Sequence, residues 1–336
     1  MSKFLKNPVE PFEVNGKKKI DAILDDMGKT SFQGRNLSRA FRVWQNMLEE
    51  DAFIFFGLAG AMVPAGMRKI VSYLIENRMI DCIVSTGANL FHDTCETIGY
   101  RHYIGSPNAD DLELLKHGVD RIYDTFASEK EFEKVDVYIY RFAESLDRSR
   151  VYTTREFLNL LGKELLKKFG NEGIVSTAAR VGIPVYCPAI GDSSIGIALA
   201  AFDSGRDGFF KFDVVGDVRE TAEIVMKNRT TGVIYISGGT PKNFIQQTEV
   251  TAPMIDKVKV GHKYAIQITA DSPNWGGLSG CTFEEAQSWG KISKNAMMAS
   301  VNCDSTIALP IIASALAARY GNRMKKRPLK KYPFNM

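Results

Sequence analysis

The chain's densest chemistry is a lysine that follows a tryptophan and a glycine and lies just beyond two glutamates. The stretch Trp275-Gly-Gly-Leu-Ser-Gly-Cys-Thr-Phe-Glu-Glu-Ala-Gln-Ser-Trp-Gly-Lys291 runs from a glycine loop into a helix started by Thr282, with Glu285 three positions on completing a capping-box pattern. On that helix Glu284, Ser288 and Lys291 share one face by four- and three-residue steps, and Glu285 and Trp289 share an adjacent one. A lysine packed beside Trp and Gly is partly desolvated, which lowers its pKa and frees a neutral amine to attack an imine or a carbonyl. Nearby carboxylates oppose that shift but suit a cationic substrate. By spacing alone, a helical lysine near two glutamates reads as a solvated surface side chain.

Other groups offer weaker chemistry. Neither GxGxxG nor the P-loop pattern GxxxxGK[ST] occurs, so a nucleotide would be held another way. Gly57-Leu-Ala-Gly60-Ala-Met-Val-Pro-Ala-Gly66 is a glycine-rich turn whose backbone N–H groups could approach a pyrophosphate, or a tight strand-to-helix packing, with nothing in the spacing to choose. Ser85-Thr86-Gly87-Ala88-Asn89 repeats the pattern, and His92-Asp93 follow it. His92 is an acid/base candidate because imidazole titrates near neutrality, or a helix-start histidine bonded to its neighbours. Asp192 and Asp304 each follow a strand-like run and precede a helix-like one, where position favours an N-cap over a ribose acceptor. His102, His117 and His262 lack metal-ligand spacing, and the five cysteines include no CxxC pair, so no metal site is expected.

These residues need a scaffold. Short apolar runs ending in small or acidic residues recur at Phe53–Phe56, Cys82–Val84, Val185–Cys187, Val233–Ile236, Tyr264–Ile268 and Met298–Asn302. Helix-like stretches fall at Asn36–Glu50, Arg68–Asn77, Asp110–Phe126, Thr154–Lys168, Val218–Asn228, Glu284–Asn295 and Thr306–Tyr320. The alternation predicts an α/β fold, a parallel β-sheet flanked by helices in one large domain, with the small and acidic residues collected beyond the carboxyl ends of the strands. Residues 1–35 read as a less regular arm. The basic run Arg323, Lys325, Lys326, Arg327, Lys330 and Lys331 reads as a solvated tail over 323–336, without the interleaved aromatics of a nucleic-acid patch.

Composition bounds the class. With 336 residues, 45% of them apolar, and a net charge of +4, the chain can bury a large core and has no strongly basic or acidic balance. It contains no window of about 18 apolar residues and no signal-peptide pattern, so neither membrane insertion nor export by that route is expected. Cys82, Cys187 and Cys303 sit in apolar runs, which fits a reducing cytoplasm.

The string Glu-Ala-x-Ser-Trp-Gly-Lys-Ile, here Glu285 to Ile292, resembles the deoxyhypusine synthase family. Ser31–Leu37, the Gly57–Arg68 turn, Ser85–Asp93, Ile183–Ala189, Gly238-Gly239, Thr269-Ala270 and Asp304, thirteen positions after Lys291, extend the likeness over most of the chain. The resemblance implies a Rossmann-like NAD-binding domain over 36–322 and a homotetramer with active sites at dimer interfaces. It also implies a reaction in which spermidine is oxidised to an imine with NAD, the lysine captures the aminobutyl group, and an acceptor amine takes it over. Carried over, Lys291 is the nucleophile, and Glu285, Trp289 and His92 are substrate contacts. Thr86, Gly87, Ala88, Asp192, Gly239, Thr269, Ala270, Ser279, Asp304 and Ser305 fall at NAD-contacting positions.

The departures narrow the expectation. Ile197 and Leu278 stand where family members carry acidic amine ligands, Phe244 where they carry a histidine, and Phe91 and His92 where they carry vicinal glutamates. Each lost charge-assisted hydrogen bond is worth roughly 1.5–3 kcal/mol. The reading is an aminoalkyl transferase on an altered polyamine pair, as in a homospermidine-synthase-like reaction. The alternatives are true deoxyhypusine synthesis on a translation-factor lysine and a non-catalytic NAD- or polyamine-binding protein.

Overall fold

The computed structural model describes residues 5–170, 173–202, 210–256 and 261–336. Its centre is a six-stranded parallel sheet built from β1 (Phe53–Leu58), β2 (Cys82–Ser85), β6 (Val185–Tyr186), β7 (Thr231–Ile236), β8 (His262–Thr269) and β9 (Ile292–Asn302), in the order β6-β2-β1-β7-β8-β9. Each apolar run identified in the sequence is a strand of this sheet. The chain leaves β1 toward β2 and β6, then returns to β7 on the opposite side and continues outward. The order therefore reverses between β1 and β7, which is where open α/β sheets hold ligands.

Every residue of β1 and β7 is buried, as strands covered on both faces must be. Along β1 the side chains alternate between two cores. Ile54, Phe56 and Leu58 join the core that includes Phe41 and Trp44 of the Phe32–Glu49 helix, while Phe53 and Phe55 join the one that includes Ile245 of the Gly239–Asp256 helix. Gly57 permits this second packing, since a Cβ there would meet Tyr235 Cδ1 at 3.1 Å and Ile245 Cδ1 at 3.2 Å.

Four expectations change. The helix expected over Asp110–Phe126 is confined to Asp111–Lys116, because Gly118 takes a positive φ of 62°. The chain then forms a hairpin, β4 (Val119–Ile122) against β5 (Thr125–Ser128), which β3 (Tyr103–Ile104) joins in a small antiparallel sheet. The helix expected over Glu284–Asn295 ends at Ser288, where Gly290 at φ 70° turns the chain into β9.

The span 1–35 contains the helix Ile20–Met27, and the Phe32–Glu49 helix begins within it. Leu24 is fully buried, and Arg319 reaches from the Ser305–Tyr320 helix to Asp21 at 2.9 Å and Asp25 at 2.6 Å. The tail keeps Arg323, Lys325, Lys326 and Lys331 exposed, but Arg327 and Lys330 are docked. Arg327 is 6% exposed and bonds Asp81 Oδ1 and Oδ2 at 2.8 Å, Asp51 Oδ1 at 2.8 Å and the Arg78 carbonyl at 2.9 Å. Asp51 and Asp81 lie just before β1 and β2. The tail therefore seals the amino end of the sheet.

Candidate functional site

At the carboxyl rim, each strand end delivers small or polar residues to the start of a helix or turn. Thr86, Gly87 and Ala88 follow β2 and open the Gly87–Ile98 helix, and Gly239 follows β7 and opens Gly239–Asp256. Thr269 and Ala270 end β8, while Asp304 and Ser305 follow β9. Asp192 lies in the turn after β6, its N–H bonded to the Ala189 carbonyl. Helix amino ends carry unpaired N–H groups and positive dipole ends, so this rim attracts anions.

The rim is tightly stitched. Asn89 donates to the Gly60 carbonyl at 2.7 Å and to Thr86 Oγ1 at 3.1 Å, and accepts from Val63 N–H at 3.1 Å. Gly239 N–H donates to Ser279 Oγ at 2.9 Å. A Cβ on Gly87 would meet Ser193 Oγ at 2.3 Å, and one on Gly238 would meet Ser279 Cα at 2.6 Å. At Gly239, by contrast, the nearest atom is Ala59 Cβ at 3.7 Å, which leaves open space beside its backbone. A cavity of about 710 Å³ adjoins the rim, with Asp304 and Thr306 on one wall and the Ala61–Gly66 turn, Tyr103 and Tyr123 around it. A second, of about 410 Å³, contains Thr269, Ser279, Cys281 and Glu284 together with Gln33 and Arg39. Of the rim residues, Asp304 lines the first cavity and Thr269 and Ser279 the second. Asp304 caps its helix, accepting from Thr306 N–H and Oγ1–H at 2.7 Å, and these bonds hold its carboxyl below the ordinary range.

Lys291 lies elsewhere. Its carbonyl accepts from His262 N–H at 3.1 Å, at the amino end of the β8–β9 pair, whereas Asp304 lies past the carboxyl end. Seven strand steps of about 3.3 Å separate those ends by roughly 23 Å. Thr282 Oγ1 accepts from Glu285 N–H at 3.1 Å, capping the short Phe283–Ser288 helix. Gly290 then bends the chain so that Lys291 Nζ stands 5.3 Å from the centre of the Trp289 ring, which is 67% exposed. Glu284 and Glu285 are exposed beside it.

One residue missed from the sequence links the two regions. Lys242 is buried, its ammonium donating to Gln267 Oε1 at 2.8 Å, the Ser279 carbonyl at 3.3 Å and the Cys281 carbonyl at 2.5 Å. Gln267 in turn donates to the carbonyls of Ser279 at 2.6 Å and Ser237 at 2.9 Å. Burial pulls Lys242 down to about 8, and the charges of Cys281, Glu285 and Lys291 act on it. Burial raises the Cys281 thiol. Lys242 thus ties the Ser279 loop to Cys281, just ahead of the Phe283–Ser288 helix. Its sequence signal was its place as the lysine of the Gly238-Gly239-Thr240-Pro241-Lys242 segment, to which the sequence attached no role.

His92 is remote from Lys291, Glu285 and Trp289. It follows β2, and β2 and β9 stand four strand spacings apart, about 19 Å. Its Nδ1 meets His102 Nε2 at 2.9 Å, and His102 Nδ1 meets Glu96 Oε1 at 2.9 Å. Burial, and then His102, pull His92 down to about 4. Asp93 is a structural anchor, accepting from Arg68 Nε at 2.7 Å and from the N–H groups of Ile174 and Val175 at 2.8 and 2.9 Å. Among the departures, Ile197 and Leu278 are 59% and 47% exposed, Phe244 packs near Tyr186, and Phe91 is buried against Phe132. Among the described residues no group of three His, Cys, Asp or Glu is gathered as a metal site, and no helix is long and apolar enough to cross a membrane.

Comparison with known proteins adds an independent line. The family model described as deoxyhypusine synthase matches residues 22–316. A protein of Methanosarcina mazei named "Probable deoxyhypusine synthase 2" is 51% identical over 316 residues, covering 93% of this chain and 90% of that one. A protein of the same name from Archaeoglobus fulgidus is 52% identical over 305 residues, covering 90% and 99%. The solved structure of a "putative deoxyhypusine synthase" from Entamoeba histolytica superposes with a TM-score of 0.61 at 18% identity, over 91% of this chain and 96% of that one, a likeness of fold.

Proposed function

This chain belongs to the deoxyhypusine synthase family of transferases, and on that premise we propose that it moves an aminoalkyl group between polyamines through an imine on Lys291, with NAD as bound redox partner. The carrying observation is the intact Ser288-Trp289-Gly290-Lys291 string, with the amine held over the tryptophan face. An aromatic face and the Glu285 carboxylate suit a polycation, and the lysine in its neutral form attacks an imine carbon and later releases it to the acceptor amine.

The rim from Thr86 to Ser305 would hold NAD, with helix amino ends toward the pyrophosphate and Asp192 and Asp304 toward ribose hydroxyls. When bound, NAD supplies the hydride acceptor for amine oxidation. Because Lys291 immediately precedes β9 and Asp304 follows its end, a site completed by a second copy in a homotetramer would accommodate both. Ile197 and Leu278, exposed hydrocarbon at positions where the resemblance expects acidic amine ligands, support a donor or acceptor other than the family's usual pair.

The test is borohydride trapping with NAD and a panel of polyamines, followed by peptide mass spectrometry. An adduct on Lys291 with at least one polyamine is expected, and its absence with all of them removes the reading. The relatives' names favour a second reading, deoxyhypusine formation on a translation-factor lysine. Labelled spermidine, NAD and that factor separate the two, because only the second labels the factor.

A further inference from the structure

The cavity of about 410 Å³ carries charges that the fold leaves unanswered. Its buried polar group, Gln267, is satisfied within the protein, bonded to Lys242 and to the carbonyls of Ser237 and Ser279. Its charged lining is different. Arg39 comes from the Phe32–Glu49 helix, Asp271 from the loop after β8, and Glu284 from the Phe283–Ser288 helix. All three are exposed, and among the described residues none of their side chains has a hydrogen-bond or ion-pair partner. A guanidinium and two carboxylates therefore share one cavity without pairing with each other.

That arrangement selects a ligand by charge. The lining sums to −1, from one cation and two anions. A dinucleotide would bring its pyrophosphate against Asp271 and Glu284, and a polyamine would bring an ammonium against Arg39. An amine that also bears a carboxylate satisfies both signs, and one with two ammoniums and one carboxylate neutralises the lining. Guanidinium matches carboxylate with two parallel N–H bonds. Gln33 and Asn36 precede Arg39 at three-residue steps along the same side of the helix. Gln33 Oε1 accepts from Asn302 N–H at 2.7 Å, which leaves its amide nitrogen as a further donor to a carboxylate. Met298 adds hydrocarbon to the lining for a methylene chain. The volume is in the range of about 300–1,000 Å³ that holds small ligands.

We propose that this cavity is a binding site for a free α,ω-diamino acid, with Arg39 on the carboxylate and Asp271 and Glu284 on the ammoniums. Thr269 and Ser279 also line it, so the ligand lies against the positions assigned above to NAD. The ligand class rests on the charges of the lining and stands independently of the imine on Lys291.

Calorimetry on the full chain at about pH 7, with ornithine and lysine as probes, tests the site. At least one should bind, and putrescine, which lacks the carboxylate, and norvaline, which lacks the second amine, should each bind at least about tenfold more weakly, the loss of one charge-assisted bond. Arg39→Gln should weaken the diamino acid at least about tenfold and leave putrescine unchanged, whereas Asp271→Asn and Glu284→Gln should weaken both. All three side chains are exposed, so melting temperatures within about 2 °C of wild type are expected and separate lost binding from lost folding. No binding of either diamino acid at about 10 mM, putrescine binding as tightly as ornithine, or affinity untouched by Arg39→Gln overturns the proposal. Saturating NAD should leave binding in place, and its abolition by NAD would mean that the cavity belongs to the dinucleotide and also overturn it. None of these readouts requires turnover, so an inactive protein that binds the diamino acid removes the transferase reading and leaves the site.

Discussion

Lys242 is an ammonium enclosed by three oxygen acceptors, and its removal should be felt both in folding and at the rim. Lys242→Met keeps the packed methylenes but leaves Gln267 Oε1 and the Cys281 carbonyl without this donor. A loss of roughly 3 kcal/mol in urea unfolding is expected, with weaker NAD binding by calorimetry as the Ser279 loop loosens. Lys291 itself was legible through its neighbours in sequence, because an eight-residue string is local information. Lys242 was not, since its partners Gln267, Ser279 and Cys281 lie 25 to 39 positions away and meet it only when β7 and β8 pair. His92 was read as a substrate contact, and the fold brings its ring against His102 and Phe132.

The helix Gly239–Asp256 shows what an element can impose on titration. It turns Glu249 toward β8, where the carboxyl accepts from Gly261 N–H at 3.0 Å and lies 3.4 Å from His262 Nδ1. Burial raises Glu249 to about 7 and lowers His262 to about 4. A carboxyl raised in the folded state stabilises fully below its unfolded value near 4.5 and loses that contribution as pH rises through 7, while His262 stays neutral across the window. Glu249→Gln keeps an acceptor for Gly261 and should flatten a pH-dependent loss on the order of 3 kcal/mol, measured as melting temperature at about pH 5 and about pH 8. The strands were readable as apolar runs because strands buried on both faces are continuous in sequence. The Asp110–Phe126 region was not, since its apolar spacing suits a helix as well as a hairpin and Gly118 decides between them.

At the scale of the molecule, the amino end of the sheet is closed by the tail. Arg327→Ala would leave Asp81 buried without its guanidinium and should cost about 3–5 kcal/mol in denaturant unfolding. The proposed shared site makes a second prediction. If the rim of one copy works with Lys291 of another, mixing Lys291→Ala and Asp304→Ala proteins after co-refolding should restore up to about a quarter of wild-type adduct formation under random pairing. Neither variant alone should form it. The sequence by itself determined the class of fold, the strands, the family and the nucleophile candidate, because each is written in local periodicity or in a contiguous string. Only the tertiary structure decided that Lys291 and Asp304 flank opposite ends of one strand, that Lys242 joins the two regions, and that a basic tail is an internal clamp. Each of those depends on pairing between distant segments, where burial rather than residue type sets what a charged group does.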